Sequence, residues 1–285
     1  MAWLMMWILV LLVSAGGVIV SAHSVALRRS VDGEMRDLTN GIRLAQSPPA
    51  MRSELPAPIE RYLAAAGGNG APIIVTRLEH AGRMRTAPDA SWMAVRGAEQ
   101  IVADPPGFVW WGRMRIAPGL WVDARDKLAS GTARMRVVAE ATFPLADVSG
   151  PQLDEGAAMR VLGEMVLIPT SFRDTRYVRW EAVDDHRARA TLRLGAREVS
   201  ALFELDAEDM PTRVSGPRYR DVSGTGVLTP WHGTFSDYRT VDGVRVPFRL
   251  ESTWDLDTGP FACIDFTIDA IDFERGRSLP SLASR

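Results

Sequence analysis

From Pro72 to Phe273, apolar side chains recur at every second position in stretch after stretch. That period belongs to strands with one buried and one wet face, and it confines the chain to an antiparallel β architecture. Ile74, Thr76, Leu78, His80 and Met84 share one face. Phe108, Trp110, Gly112, Met114 and Ile116 alternate with Val109, Trp111, Arg113 and Arg115. Ala133, Met135, Val137, Ala139 and Ala141 alternate with Arg134, Arg136 and Glu140. About five strands fit before Pro144 and about six follow the next helix, roughly eleven in all.

Two turns fix registers. Asp242-Gly243 lies between alternating runs in "TVDGVRV", and a two-residue turn of that kind pairs Val241 with Val244. Phe235 then meets Leu250 and Trp231 meets Trp254, so large apolar side chains share one face. In "WEAVDDHRARATL", matching the apolar faces pairs Val183 with Arg187. Asp184, Asp185 and His186 are left as a three-residue loop. Two carboxylates beside an imidazole could bind a metal, but a hairpin tip points its side chains into water, where nothing converges on them.

One helix interrupts the strands, in "SGPQLDEGAAMRVLGEMVLIPTSF". Pro151 suits its first turn, and Asp154 and Glu155 complement the positive end of its dipole. Leu153, Ala157, Ala158, Val161, Leu162 and Met165 make its apolar face. Asp154, Glu155 and Glu164 read as helix-end and solvated-face residues.

The N-terminus is of another kind. Ala2 to Val20 carries no charge, and about 20 apolar residues cross a bilayer as a helix. Residues 1–27 are expected to be a single-pass transmembrane anchor, with a cleaved signal segment as the alternative. Arg28 and Arg29 at its end favour a cytoplasmic domain. Residues 28–54 read as a tether, 55–275 as one β-rich domain, and 276–285 as a flexible tail.

Charge and cysteine content narrow the function. A net charge of −2 suggests no nucleic-acid partner. Cys263 is the one cysteine, so no intrachain disulfide or cysteine-based zinc site can form. No phosphate-loop, dinucleotide or metalloprotease motif occurs, and neither a cofactor nor a metal is expected.

The inward-facing set is soft and partly small, with Met84, Met114, Met135, Ala139 and Ala190 on strands and Met159 and Met165 on the helix. Methionine fills irregular space and recurs at adaptable apolar surfaces. A curved sheet with a helix on its concave face could therefore enclose an apolar pocket. Trp110, Met114, Met135, Trp180, Trp231 and Trp254 are its candidate walls, and Arg218, Tyr219 and Arg220 could hold a polar head group at the rim. His80 or His232 with a nearby carboxylate would be the acid/base pair of an enzyme. The outer face carries arginines interleaved with acids, as expected for ion pairs on a wet sheet.

The segments "GPQLDEGAAMRVLGEMVLIPTSF", "VRWEAVDDHRARATL", "RYRD", "TPWHGTFSDYRTVDGVRVP" and "GPF" resemble an uncharacterised bacterial family, from about Leu55 to Phe273. That resemblance implies an N-terminal hydrophobic segment joined to one β-rich domain, with no activity to carry over. The order of elements is also similar to the LolA-like lipoprotein-carrier half-barrels, which cradle acyl chains beneath helices. That likeness implies an extracytoplasmic location. The expected fold is mainly β (α+β): a curved antiparallel sheet or half-barrel with a helix on the concave face, plus the N-terminal span. The expected function is a membrane-anchored module that binds a lipid or other apolar ligand and does no catalysis. The alternatives are a hydrolase or isomerase, or a structural envelope protein without ligand.

Overall fold

The structure, a computed structural model, describes residues 2–44, 55–222 and 224–276. Its body is one antiparallel sheet made of two meanders. The first comprises β1 (Ile73–Met84), β2 (Met93–Ala103), β3 (Pro106–Ala117), β4 (Leu120–Ala129), β5 (Thr132–Ala139) and β6 (Phe143–Ser149). The second comprises β7 (Val178–Ala182), β8 (Arg187–Leu194), β9 (Arg197–Leu205), β10 (Pro211–Val222), β11 (Thr225–Val241), β12 (Val244–Leu256) and β13 (Gly259–Arg275). Pairing of β1 with β13 joins them, and β6 and β7 are the two edges.

Between those edges the chain crosses the concave face as a helix, Pro151–Glu164, followed by two short 3-10 turns, Met165–Leu167 and Pro169–Arg173. Its apolar face, with Ala157, Ala158, Val161 and Leu162, is buried against the sheet. A shorter helix, Ala57–Ala65, buries Ile59, Tyr62 and Leu63 in the same core.

The registers follow the turns. Val241 pairs with Val244, Phe235 with Leu250 and Trp231 with Trp254. Ala182 pairs with Ala188, leaving Asp184, Asp185 and His186 at an exposed tip. There Asp184 accepts the His186 backbone N–H at 3.0 Å and pairs with Arg187 at 2.6 Å.

Among the described residues, thirteen strands replace the expected eleven or so. One addition is β6, which contains Pro144 and reads as a chain break. An edge strand tolerates proline because its N–H side need not pair, and a register shift between Val137 and Val138 accommodates it here.

The expected membrane span is corrected. Among the described residues, no helix is long and apolar enough to cross a membrane. The N-terminal helix runs without a break from Ala2 to Leu44. Gly16, Gly17, Ser21, His23 and Ser24 dilute its apolar character, and Arg28, Arg29, Asp32 and Glu34 follow within the same helix.

Its second half lies on the outer face of the sheet. Val31 is buried against Val109 and Trp111, and the Arg28 guanidinium sits 3.7 Å from the Trp111 ring centre. Gln100 Nε2 donates to the Met35 carbonyl oxygen at 2.6 Å, and Glu34 pairs with Arg125 at 3.2 Å. The two arginines expected to flank a span are thus interior to a helix packed on protein. Residues 28–44 of the expected tether belong to that helix, while 45–54 and all but the first residue of the expected tail lie outside the described residues.

Candidate functional site

The concave face between β1–β5 and β10–β13 is not filled. It holds a partly open cavity of about 530 Å³. Strand alternation aims Leu78, Trp110, Met114, Val137, Leu250 and Phe266 into it, and the helix covers it with Arg160, Gly163 and Glu164. Thr86, itself exposed, lies among the lining residues and marks the open side. Ligand cavities are typically about 300–1,000 Å³ and mostly apolar with a few placed polar groups.

Of the expected walls, Trp110, Met114, Met135 and Trp231 line this cavity. Trp180 does not: it packs on Phe172 and Phe203, with ring centres 4.7 and 5.2 Å away, and donates Nε1–H to the Phe172 carbonyl oxygen. Trp254 pairs with Trp231 across the strands and is not among the lining residues. Arg218 lines the cavity, whereas Tyr219 and Arg220 do not. Ala190 is fully buried and does not line this cavity.

The two histidines are placed on opposite faces. His80 lines the cavity and is 3% exposed. Trp110 Nε1–H donates to its Nε2 at 2.8 Å, which in the neutral ring leaves the proton on Nδ1. Phe266 stacks on its other side, 4.4 Å between ring centres. Burial, helped by the charge of Arg160, lowers its pKa to about 4, so it is neutral at physiological pH. No carboxylate pairs with it among the described residues. His232 has such a partner, Asp255 Oδ2 at 2.9 Å from its Nδ1. Since Trp231 and Gly233 point into the cavity, His232 points to the outer face.

A buried polar cluster went unread in the sequence. Arg160 binds Glu99 at 2.7 Å, Asp126 at 3.0 Å and Glu164 at 2.7 Å. Burial raises the Glu99 pKa well above the ordinary carboxylate range, against the pull of Arg160 and with the help of Glu164 and Asp126. The same three acids hold the Arg160 guanidinium firmly charged despite its burial. Glu164 is therefore not the solvated-face residue the helix pattern suggested. Asp154 is also buried: it accepts the Ala133 N–H at 2.6 Å and pairs with Arg197.

The signal for this cluster lies in strand parity. Glu99 falls between Gly97 and Ile101, and Asp126 between Ala124 and Leu128, on the inward side of apolar strands. A carboxylate at an inward position must be paired.

No curated protein matches the chain in sequence. Among solved structures it is similar to a DUF1329 family protein from Desulfovibrio piger, with 14% identity, a TM-score of 0.44 and coverage of 78% of this chain and 94% of that one. A domain assigned to outer-membrane lipoprotein sorting from Vibrio parahaemolyticus has 14% identity, a TM-score of 0.43 and coverage of 78% and 92%. A LolA superfamily protein from Nitrosomonas europaea has 16% identity, a TM-score of 0.33 and coverage of 78% and 94%. A sequence-family model matches residues 46–266, most of the chain, and on that match the protein belongs to DUF6544, a family of unknown function.

Proposed function

We propose that this protein is a binding module that holds an apolar or acyl-bearing ligand between the sheet and the Pro151–Glu164 helix. The carrying observation is the cavity itself, about 530 Å³ with walls that are mostly Met, Leu, Val and aromatic side chains. Apolar side chains that line a cavity of that size lack, on that side, the dispersion contacts that a packed core gives. A ligand restores them.

The acid/base reading has less support. The one His–carboxylate pair among the described residues, His232 with Asp255, is on the face away from the cavity. Displacement of the dye N-phenyl-1-naphthylamine tests the proposal. The full chain is expected to bind the dye with fluorescence enhancement and to release it to dodecanol. Absence of dye and dodecanol binding would overturn the reading and favour a structural protein.

A further inference from the structure

The two arginines of the cavity differ in what surrounds them. Arg160 is saturated, with three carboxyl groups within 3.0 Å of its guanidinium nitrogens. Arg218 has no carboxylate partner among the described residues. Its one side-chain hydrogen bond runs from Nε to the Gly156 carbonyl oxygen of the helix, at 3.0 Å. The flat faces of Trp231 and Trp254 hold the guanidinium, with its carbon 5.1 and 5.8 Å from the two ring centres.

This arrangement fixes the plane of the fork through Nε and the rings and leaves the Nη edge to other partners. Arg218 lines the cavity. A guanidinium presents its donors as a planar fork that fits two oxygens of one carboxylate or phosphate. Arg218 is half-buried, and partial desolvation of a guanidinium without a counter-ion carries a cost that cation–π contact offsets only in part. Asp126 and Glu164, the acids whose charge acts on Arg218, are both bonded to Arg160.

We infer that Arg218 is the head-group site of the cavity and that the ligand is an amphiphile with one oxyanion, a carboxylate or a phosphate, seated on the Arg218 Nη edge with its chain along the methionine-lined wall. The site lies inside the cavity, where Arg218 departs from its neighbours Tyr219 and Arg220. Burial pulls the Arg218 pKa down, an effect a bound anion would reverse. This inference rests on the proposed binding function and narrows it to a ligand class.

The test compares dodecanoate, dodecyl phosphate and dodecanol on the full chain at pH 8, by calorimetry or dye displacement. The three share one chain length and differ in head group. At least one anion is expected to bind roughly ten- to hundred-fold more tightly than dodecanol, as a charge-assisted hydrogen-bonded pair would give. The tighter anion identifies the head. Arg218→Met should abolish the preference and keep dodecanol binding, which also shows that the variant is folded. Arg218→Lys should keep part of the preference. Equal binding of all three by the parent protein would overturn the head-group assignment and leave the cavity reading standing. So would a preference unchanged in Arg218→Met. Binding of none would overturn both.

Discussion

Over β8 and β9 the inward side chains include Ala188, Ala190, Ala201 and Phe203, each without exposure. Over β1–β5 they include Met84, Met114, Met135 and Val137, which border open space. One sheet and one covering segment thus give a solid half and a hollow half. The small residues of β8 and β9 let the 3-10 turns descend onto the sheet, where Phe172 meets Trp180 and Phe203 at 4.7 and 5.8 Å between ring centres. On the other side the helix presents Arg160 and Glu164. Their partners, Glu99 and Asp126, rise from β2 and β4 to meet them. Paired charges cannot interdigitate as apolar side chains do, since each must keep its hydrogen bonds. The cavity lies beside the polar cluster.

Truncation should separate the halves most strongly. Phe172→Ala removes a fully buried ring from the solid half and is expected to cost about 3–5 kcal/mol. Met114→Ala, at the cavity wall, should cost at most about 2 kcal/mol, because the space beyond it is already empty. Urea unfolding of both variants measures the contrast. Equal losses would mean that the hollow half is packed in solution.

Acid sharpens it from the hollow side. His80 is depressed from 6.5 to about 4, so the unfolded chain takes up its proton first as pH falls. Stability contributed by the neutral ring is intact above about 6.5 and is lost progressively toward pH 4. The full loss is roughly 3 kcal/mol. His80→Gln, which keeps an acceptor for Trp110, should flatten the melting curve over that window. An unchanged pH slope would show that His80 is not held neutral by burial.

Much of the strand pairing was legible in the sequence, in the solid half and in β11 and β12, which border the cavity. The registers of β7 with β8 and of β11 with β12 follow from turn chemistry and face matching, and both hold residue for residue. The wet tip at Asp184, Asp185 and His186 follows from the same rule. The hollow half was legible in composition, through its methionines, and in the β11–β12 register, but not in its polar contacts. Parity assigns a side chain to a face but not to a partner across the face. Glu99, Asp126 and Arg160 come from three elements separated by up to 61 residues, so nothing local announces their meeting. The N-terminal helix misled for a related reason. An uncharged run looks the same whether the helix beyond it ends or continues onto Trp111.

Enlarging a side chain tests the comparison at intermediate scale. Ala190→Phe, in the solid half, should cost about 1–3 kcal/mol by overpacking and leave dye binding unchanged. Val137→Trp, at the cavity wall, should change stability by less than about 1 kcal/mol and abolish dye binding. The reverse pattern would exchange the assignments of the two halves.

The smallest expected effect belongs to Glu99, in the polar cluster of the hollow half. Glu99 is 6% exposed and bonded to Arg160. Its pKa is raised, first by burial and then by the neighbouring acids. The folded protein therefore keeps this proton above the ordinary value of 4.5, while the unfolded chain gives it up. Parent stability should accordingly fall as pH rises from about 4.5 through the folded pKa. Glu99→Gln retains an oxygen to accept from Arg160 and cannot ionise. Below pH 4.5 the variant should lie within about 1 kcal/mol of the parent, as for exchange of one neutral acceptor for another. As pH rises it should gain on the parent, because only the parent meets the cost of a buried second or third anion. Thermal melts of both proteins from pH 4 to 8 decide the matter. If the variant instead falls behind as pH rises, Glu99 is ionised and attracts Arg160 as a full salt bridge. The cluster would then be held by charge pairing, with Glu99 as a third anion on Arg160.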